Sequence, residues 1–299
     1  MSAAPVSAIV TAFQRADETV RTLKTIASCV PPPAEVLVHV DGGARDVAAS
    51  IQKACPDVRV IMSNTNVGPG GARNALVDQS RQPLIASFDD DSYPMDADFF
   101  ARLTELFASF PEAWVIGGRL FHLHQPVEPP HPAAEWAADF SGGACGYRRE
   151  RYLEVGGYVP IADAYNMEEV DFALRLHAQG GRVLGTSWLR VFHNTDLARH
   201  SDPEVTAASI ANLALLAFLR YPIHLWTIGI AQCLNRIQWL ARHGRRRGIV
   251  TGLVDVPARL WRHRDRRAPL PAAAVRSYFA LRRQPVPVPL EAALVRAHG

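Results

Sequence analysis

The alternation of strand-like and helix-like segments over the first 120 residues constrains the fold of this 299-residue chain more than any other feature. Amphipathic segments predict four helices, and the clearest is the last, because Phe99, Leu103, Leu106 and Phe110 share one helical face. This alternation predicts an α/β fold with a mostly parallel sheet flanked by helices. In such sheets, ligands bind beyond the carboxyl ends of the strands. The strands are expected at 6–13, 35–41, 58–63, 84–89 and 115–121, and the helices at 17–29, 46–54, 71–79 and 96–110.

The rest of the chain has three segments of different composition. Residues 122–140 contain four prolines and three histidines without periodicity, which predicts a long loop. A helix over 168–179 and a strand over 182–192 are expected next. From about residue 201 the chain becomes apolar and then rich in arginine. The predicted organisation is therefore a catalytic domain over 1–200 and a C-terminal helical extension over 201–299.

Charge and cysteine content argue against several classes of protein. The formal net charge is only +3, and no recognisable nucleic-acid-binding motif accompanies the arginines, so no nucleic-acid partner is expected. The four cysteines are far apart and include no Cys-x-x-Cys pair, which predicts neither a zinc knuckle nor a disulfide framework. The first residues lack the basic region and the cleavage site of a signal peptide. A reducing, cytoplasmic location is therefore expected.

Three adjacent aspartates follow the fourth predicted strand directly. Asp89, Asp90 and Asp91 would repel one another at a strand end unless a cation lies beside them. Hard divalent ions such as Mg²⁺ and Mn²⁺ prefer carboxylate oxygen, so the cluster predicts a metal site. The alternative is that Asp91 or Ser92 caps a following helix.

A glycine-rich segment with the sequence NVGPGGARN, at 66–74, joins the third strand to a helix. Glycines let the backbone approach a phosphate closely, and a helix N-terminus supplies N–H donors, so the segment favours phosphate binding. It departs from the dinucleotide fingerprint, because Arg73 replaces the third glycine and the loop follows the third strand instead of the first. A flexible turn is the alternative.

Acidic residues and one histidine complete the set of candidates. The segment NMEEVDF, at 166–172, opens a helix with Glu168, Glu169 and Asp171, where acids also serve simply to complement the helix dipole. His193 ends a predicted strand, and a single histidine is more often structural than a ligand. Neither feature assigns a function by itself.

Taken together and in this order, these motifs resemble glycosyltransferase family 2 with its GT-A fold, over roughly residues 5–195. The most specific part is the succession GGACGYRRE at 142–150, EVGGY at 154–158 and EEVDF at 168–172. The resemblance implies inverting transfer of a sugar from a nucleotide-diphosphate sugar to a hydroxyl of a saccharide or lipid-linked acceptor, with Mn²⁺ or Mg²⁺. The alternatives are a nucleotidyltransferase that shares the fold and a non-catalytic nucleotide- or glycan-binding scaffold.

The resemblance also implies a role for each matching residue. Asp89, Asp91 and His193 are implied as metal ligands, with Asp91 the most direct of them. Glu169 is implied as the general base, and Glu168 beside it is the alternative. The positions implied in donor binding are Thr11, Phe13, Arg15, Asp41, Gly70, Arg73, Asp89 and Asp90.

Three departures from the family pattern leave parts of the site open. Val40 precedes Asp41 where the family commonly has two aspartates, and the first strand ends in the unusual sequence TAFQ, so base recognition is open. Glu169 stands where the family usually has an aspartate, which is why Glu168 remains an alternative base. Trp136, in the 122–140 segment, is expected to offer a stacking face to an acceptor sugar. The candidate acceptor contacts are thus Gly143, Ala144 and Trp136.

The C-terminal extension combines apolar and cationic segments. Residues 205–219 carry no charge, Arg220 follows, and 221–235 is largely apolar, but neither stretch has the roughly 20 apolar residues of a membrane span. Residues 236–267 contain ten arginines against two acids. This pattern predicts peripheral contact with an anionic membrane surface, at the inner face of the membrane. A packed helical subdomain or a dimer interface is the alternative, and the oligomeric state stays open.

Overall fold

The structure is a computed structural model that describes residues 2–162, 167–195 and 202–290, and the elements named below lie within these ranges. The strands are β1 (Ala4–Ala12), β2 (Pro33–Val40), β3 (Arg59–Met62), β4 (Leu84–Asp89), β5 (Ser92–Pro94), β6 (Ala113–His122), β7 (Ala134–Ala137), β8 (Ala144–Arg148), β9 (Arg182–His193) and β10 (Val286–Val288). The helices are α1 (Ala16–Ala27), α2 (Arg45–Ala54), α3 (Gly68–Gln79), α4 (Phe99–Ser109), α5 (Arg149–Val155), α6 (Glu168–Ala178), α7 (Pro203–Arg220), α8 (Trp226–Arg242), α9 (Ile249–Arg262) and α10 (Ala272–Arg283).

All of these strands belong to one sheet, in the order β10-β7-β9-β6-β8-β4-β1-β2-β3, with β5 paired to β9. Strands β3, β2, β1 and β4 are parallel to one another, as the alternation of strands and helices predicts. β8 is antiparallel to β4 and β6, and joins this half to a second one, in which β6 and β9 are parallel. The predicted α/β fold is therefore confirmed, and antiparallel strands extend its parallel part.

Both faces of the sheet are covered, because alternate residues of its central strands face different helices. In β1, Val6, Ala8 and Val10 pack with residues of α1, α2 and α4, whereas Ile9 packs with residues of α3, α5 and α6. Burial on both faces explains why β1 reads as an almost continuous apolar run. This arrangement leaves the ends of the strands as the place where polar side chains gather.

The 122–140 segment contains more structure than the predicted loop. β6 extends to His122, and Ala134–Ala137 forms β7, which pairs antiparallel with β9. The sequence of β7, AEWA, is too short to show strand periodicity, so its pairing depends on β9 rather than on its own pattern. The irregular parts of this segment are residues 123–133 and 138–140.

The C-terminal helices form a layer on α6. Leu213, Leu216 and Tyr221, at α7 and its end, pack with Val170 and Leu174 of α6, and residues of α10 join the same cluster. The described helices of the extension are thus packed on α6. Its predicted beginning at residue 201 lies outside the described residues, and the division into two domains stays a prediction. None of the described helices is long and apolar enough to cross a membrane.

Candidate active site

A cavity of about 970 Å³ opens where β1, β2 and β4 end. Parallel strands place their carboxyl ends at one edge of a sheet, so the loops that follow them converge there. The beginnings of α3 and α6 form further parts of its walls. The predicted site residues that line it are Thr11, Phe13, Arg15, Asp41, Arg73, Asp89, Asp90, Asp91, Glu168, Glu169 and His193.

Two arginines divide the three aspartates into separate groups. Arg15, in the loop after β1, donates from Nε to Asp90 at 3.0 Å and from Nη1 to Asp91 at 2.7 Å. Arg73, which is buried in α3, forms an ion pair with Asp89 and donates from Nε to Ser87 at 3.1 Å. The repulsion expected among the aspartates is therefore offset by guanidinium groups from both sides.

Asp91 lies against the end of β9. Its Oδ1 is 3.0 Å from Nε2 of His193, and its Oδ2 accepts a hydrogen bond from Oγ1 of Thr195 at 2.6 Å. The antiparallel pairing of β5 with β9 brings these residues together, because it places Ser92 opposite His193. Burial alone would raise the pKa of Asp91, but the hydrogen bonds and charge of His193, together with Thr195 and Arg15, hold that pKa well below its usual range. Asp91 is therefore an ionised carboxylate at neutral pH.

The carboxylate of Asp90 is hydrogen-bonded to the loop after β1 and holds that loop in place. Its carboxylate accepts hydrogen bonds from Arg15 and, at 3.4 Å, from the backbone N–H of Phe13. Burial raises the pKa of Asp90 to about 7, against the opposing charge of Arg15. Gln14, between the two donors, has a φ of 59°, a conformation that is uncommon for residues other than glycine. Asp90 thus fixes a strained turn at the rim of the cavity.

The chemistry of the predicted metal ligands suits a divalent ion. Oδ1 of Asp91 is buried beside Nε2 of His193, at 3.0 Å, and the side chain of Asp89 is 31% exposed at the cavity. In the described part of the chain, however, no three His, Cys, Asp or Glu side chains are arranged so that they could hold an ion together. The arginines explain this, because Arg73 binds Asp89 while Arg15 binds Asp91. The ligand types therefore fit a divalent ion, although the three residues are not gathered around one point.

Glycines let the backbone approach the carboxylates closely. A Cβ on Gly143 would lie 2.2 Å from Oδ2 of Asp89, and a Cβ on Gly142 would lie 2.6 Å from Oε1 of Glu169. A Cβ on Gly70 would lie 2.8 Å from Oε1 of Glu168. Because Gly70 and Gly143 have no side chain, they leave room for the carboxylates of Glu168 and Asp89.

None of the three predicted acceptor contacts, Gly143, Ala144 and Trp136, is among the residues that line the cavity. Ala144 is buried in β8, where it pairs with Phe88. Trp136 lies in β7, with its ring edge-on to Phe110 at 6.0 Å and the guanidinium of Arg182 over it at 4.9 Å. The pairing of β7 with β9 is the physical reason, since it packs this tryptophan on its own domain. The expectation that Trp136 stacks on an acceptor in the cavity is corrected accordingly.

Glu168 and Glu169 begin α6 and both line the cavity, but their surroundings differ. Glu168 is 4% exposed, and its Oε1 has no hydrogen-bond partner among the described residues. Burial, with the charge of Glu169, raises the pKa of Glu168 to about 8, so Glu168 is mainly protonated at neutral pH. Burial also raises the pKa of Glu169, but Arg73 opposes that rise and favours the ionised form. Glu169 is also the more exposed of the two.

The residue that precedes this pair has an unusual backbone. Met167 has a φ of 83°, in the left-handed region that glycine normally occupies. Such strain persists only where the surrounding structure imposes it, and it is typical of functional sites. Asn166, the first residue of the NMEEVDF segment, lies outside the described residues.

Asp41 directly follows β2 and organises the glycine-rich segment through hydrogen bonds. Its carboxylate accepts hydrogen bonds from the hydroxyl of Ser63 at 2.5 Å and from the backbone N–H groups of Val67 and Gly68, each at 3.0 Å. These two N–H groups are therefore used within the protein, and phosphate binding by the rest of the segment stays a prediction. Arg73 is the cation that this segment contributes to the cavity.

Sequence reasoning missed several residues of the cavity. Thr195 follows His193 without any motif, and only the pairing of β5 with β9 reveals its contact with Asp91. Arg236 and Trp239 of α8, and Arg245 just after it, line the cavity from the C-terminal layer. The arginine-rich composition of 236–267 drew attention to this segment, but it predicted a membrane-contacting surface and not a wall of the cavity.

The fold and the carboxylates at the end of β4 define a class, namely proteins with the GT-A fold of nucleotide-sugar-dependent transferases. The family described as glycosyl transferase family 2 matches residues 7–160, just over half of the chain. The chain belongs to glycosyl transferase family 2.

Individual relatives are similar over smaller parts. Succinoglycan biosynthesis protein ExoO of Rhizobium meliloti is 38% identical over 88 residues, which are 29% of this chain and 25% of that protein. This chain therefore matches about a quarter of the length of that relative.

Two solved structures share the fold. The structure of GalNAc-T7 with UDP, GalNAc and Mn²⁺ has a TM-score of 0.59 and 13% identity, over 74% of this chain and 49% of that one. The mannosyltransferase PcManGT of Pyrobaculum calidifontis, in complex with GDP-Man and Mn²⁺, has a TM-score of 0.58 and 16% identity, over 100% of this chain and 87% of that one. At such low identity, these similarities show the fold alone.

Proposed function

We propose that this protein is an inverting glycosyltransferase that moves a sugar from a nucleotide-diphosphate sugar to a hydroxyl of a saccharide or lipid-linked acceptor, using Mn²⁺ or Mg²⁺. The observation that carries the proposal is that Asp89, Asp91 and His193 line the same cavity as Glu169. Membership of glycosyl transferase family 2 supports it and disfavours a nucleotidyltransferase. The two neighbours, which hold Mn²⁺ with UDP and GalNAc or with GDP-Man, support the kind of donor and cofactor.

Asp91, His193 and Asp89 would hold the divalent ion. When bound, the ion neutralises negative charge on the diphosphate as that group leaves. Arg73 keeps Asp89 in place through their ion pair, and the hydrogen bond from Arg73 to Ser87 fixes the guanidinium in turn. Asp91 stays anionic at neutral pH because its neighbours lower its pKa.

Glu169 acts as the general base in this proposal. The acceptor oxygen attacks the anomeric carbon from the face opposite the leaving diphosphate, so that the configuration inverts. One carbon–oxygen bond forms and the bond to the diphosphate breaks, while the proton of the acceptor hydroxyl passes to the carboxylate of Glu169. The charge of Arg73 favours the ionised form that a base requires. Glu168, mainly protonated at neutral pH, is the weaker candidate.

The donor nucleotide would lie along the loop after β1. Phe13 is 45% exposed at the cavity and offers a face for a base, while Thr11 donates to Asp89 at 3.3 Å. Asp41 also lines the cavity, next to the segment that it organises. Gly70 acts indirectly, through the room that it leaves for Glu168.

We also propose that the C-terminal layer contacts an anionic membrane surface from the cytoplasmic side. Ile230 and Leu234 of α8, four residues apart, are each 60% exposed, and Val250 and Val254 of α9 are exposed still further. Exposed arginines, among them Arg246 and those at 242, 247 and 262, lie in the same two helices and in the turn between them. Exposed apolar side chains together with arginines complement a bilayer with negative headgroups.

Ligand binding followed by turnover tests the proposed activity. A panel of nucleotides and nucleotide sugars is screened by thermal shift with Mn²⁺, since a ligand that binds the folded state raises its melting temperature. The donor found in this way should then support transfer or hydrolysis that stops in EDTA and returns with Mn²⁺ or Mg²⁺. Asp91→Asn should abolish this metal-dependent turnover, whereas Asp57→Asn, at an exposed position outside the cavity, should leave it unchanged. Full turnover in metal-free buffer would contradict the proposed cofactor, and binding without any product would favour a scaffold.

A further inference from the structure

Three side chains from the C-terminal layer form one wall of the cavity that contains the acids. Arg236 and Trp239 lie on α8, and Arg245 lies in the turn that follows it. The guanidinium carbon of Arg236 is 5.0 Å from the centre of the Trp239 ring, and that of Arg245 is 6.0 Å away. Two cations are therefore gathered beside one indole ring, which is itself 43% exposed.

These two arginines differ from the other arginines of the cavity in having no acidic partner. Arg15 pairs with Asp90 and Asp91, and Arg73 pairs with Asp89. Arg236 and Arg245 form no ion pair with any acid in the ranges that the structure describes. Within those ranges, the side chains of both arginines form hydrogen bonds with hydroxyl groups of α7. Arg236 donates to Ser209 at 3.4 Å, and Arg245 donates to Thr206 at 3.3 Å.

The surroundings of the two guanidinium groups suit an anion. Nε of Arg245 is buried and has no hydrogen-bond partner among the described residues. Burial lowers the pKa of Arg236, and the like charge of Arg245 lowers it further. An anion beside both groups would relieve their repulsion, and the N–H groups of arginine match the oxygens of a phosphate in pairs.

The diphosphate of the donor already has partners under the proposed function, namely the metal ion held at the end of β4. We infer that Arg236, Trp239 and Arg245 form a second anion subsite, which binds the phosphate or diphosphate of a phosphorylated acceptor. The exposed face of the Trp239 ring would pack against the group that is attached to that phosphate. This inference rests on the proposed function, because it names the acceptor class of the same cavity. A lipid-linked phosphate and a soluble sugar phosphate share the chemistry that the subsite recognises.

Binding of inorganic pyrophosphate in EDTA tests the subsite without any turnover. Calorimetry on the full chain should show saturable binding that the double variant Arg236→Gln/Arg245→Gln weakens about tenfold or more, because it removes two charged donors. The matched control is Arg242→Gln/Arg246→Gln, which removes two exposed arginines of the same segment that do not line the cavity. Equal binding by both double variants, or no binding by the unmutated protein, would overturn the proposal.

A second measurement separates the acceptor from the donor. With Mn²⁺ present, the affinity for UDP or GDP should change by no more than about twofold in Arg236→Gln/Arg245→Gln. A loss of nucleotide affinity as large as the loss for pyrophosphate would assign the arginines to the donor and overturn the inference. A protein that binds pyrophosphate through these arginines yet binds no nucleotide would refute the proposed function while supporting the subsite. Thermal unfolding of each variant checks that it is folded, and the single variant Arg245→Gln serves if the double variant is not.

The source of the phosphate is resolved with two soluble probes, geranyl diphosphate and glucose 1-phosphate. Tighter binding of geranyl diphosphate, with a loss of that preference in Trp239→Ala, would support a lipid-linked acceptor at the subsite. Tighter binding of glucose 1-phosphate would support a sugar phosphate there. If neither probe depends on Arg236 and Arg245, the subsite does not bind a phosphorylated acceptor.

Discussion

Arg220 of α7 donates a hydrogen bond from Nε to Oδ1 of Asp171 in α6 at 2.5 Å, and both side chains are buried. Asp171 also accepts from Nε of Arg175 at 2.8 Å, within α6. Asp171 lies two residues after Glu169, so this pair ties the C-terminal layer to the helix that carries the proposed base. In the sequence, Arg220 only separates two apolar stretches, whereas the structure gives it a buried partner.

Removal of Arg220 should therefore destabilise the fold. Arg220→Met leaves the buried carboxylate of Asp171 with one guanidinium partner instead of two, and should lower the free energy of unfolding by about 3 kcal/mol, as measured in urea. The control is Arg151→Met, because the ion pair of Arg151 with Glu154 is exposed and screened by solvent and should contribute little to stability. Equal effects of the two substitutions would show that the buried pair has no special role.

Substitution of Glu169 should reduce turnover without loss of nucleotide binding. Glu169→Gln keeps the shape of the side chain and removes its basicity, so the rate should fall by about 10²–10⁴, the usual contribution of a positioned base. Nucleotide affinity, measured by calorimetry with Mn²⁺, should change little. Glu168→Gln is the matched comparison. If Glu168→Gln loses turnover while Glu169→Gln keeps it, the base is Glu168.

The buried carboxyl of Glu168 should make the metal-free protein less stable as the pH rises. Its pKa is about 8 in the folded state against 4.5 ordinarily, so the folded state holds this proton more tightly than the unfolded chain does. The resulting stabilisation is fully present below about pH 4.5 and is lost as the pH rises through about 8. Urea unfolding in EDTA at pH 6 and pH 9 should show this loss, and Glu168→Gln should reduce it. Glu150→Gln, at an exposed position, should keep the full pH dependence.

The sequence predicts the parallel half of the sheet because each of its strands carries a local signal. Leu84–Asp89, for example, is an apolar run that ends in an acid, and its observed bounds are those predicted. β7 and β8 lack such signals, since they are short and take their place from pairing with β9, β4 and β6. The local sequence pattern therefore predicts elements whose own residues favour them. It does not predict strands whose formation depends on pairing with strands far away in the chain.

The same limit applies to the site. Asp89, Asp91 and Glu169 belong to motifs with fixed spacing, so their convergence in one cavity follows from the family resemblance. Trp136 belongs to no motif, and a tertiary contact with Phe110 decides its position. Arg236 lies far beyond the motifs, and only the packing of the C-terminal layer brings it to the cavity. Long-range packing is thus what the sequence pattern leaves undetermined.

The exposed faces of α8 and α9 should bind anionic vesicles. Ile230, Leu234, Val250 and Val254 project apolar surface, and exposed arginines beside them carry the complementary charge. Sedimentation with vesicles of phosphatidylglycerol and phosphatidylcholine should show binding at low salt. Binding should weaken as salt rises, because exposed charges are screened over about 8 Å at physiological ionic strength.

Point substitutions suit this test better than truncation, because α10 packs in the core beyond these helices and its loss would disturb the fold. Ile230→Ser/Leu234→Ser should reduce vesicle binding several-fold with little effect on thermal unfolding, since both side chains are exposed. Leu153→Ser/Met62→Ser is the control, because it removes two exposed apolar side chains that lie outside the C-terminal layer. Equal sedimentation of the two double variants would show that α8 does not contact the bilayer. Failure of the unmutated protein to bind anionic vesicles at low salt would rule out the membrane surface as a partner and leave the exposed faces of α8 and α9 to another contact.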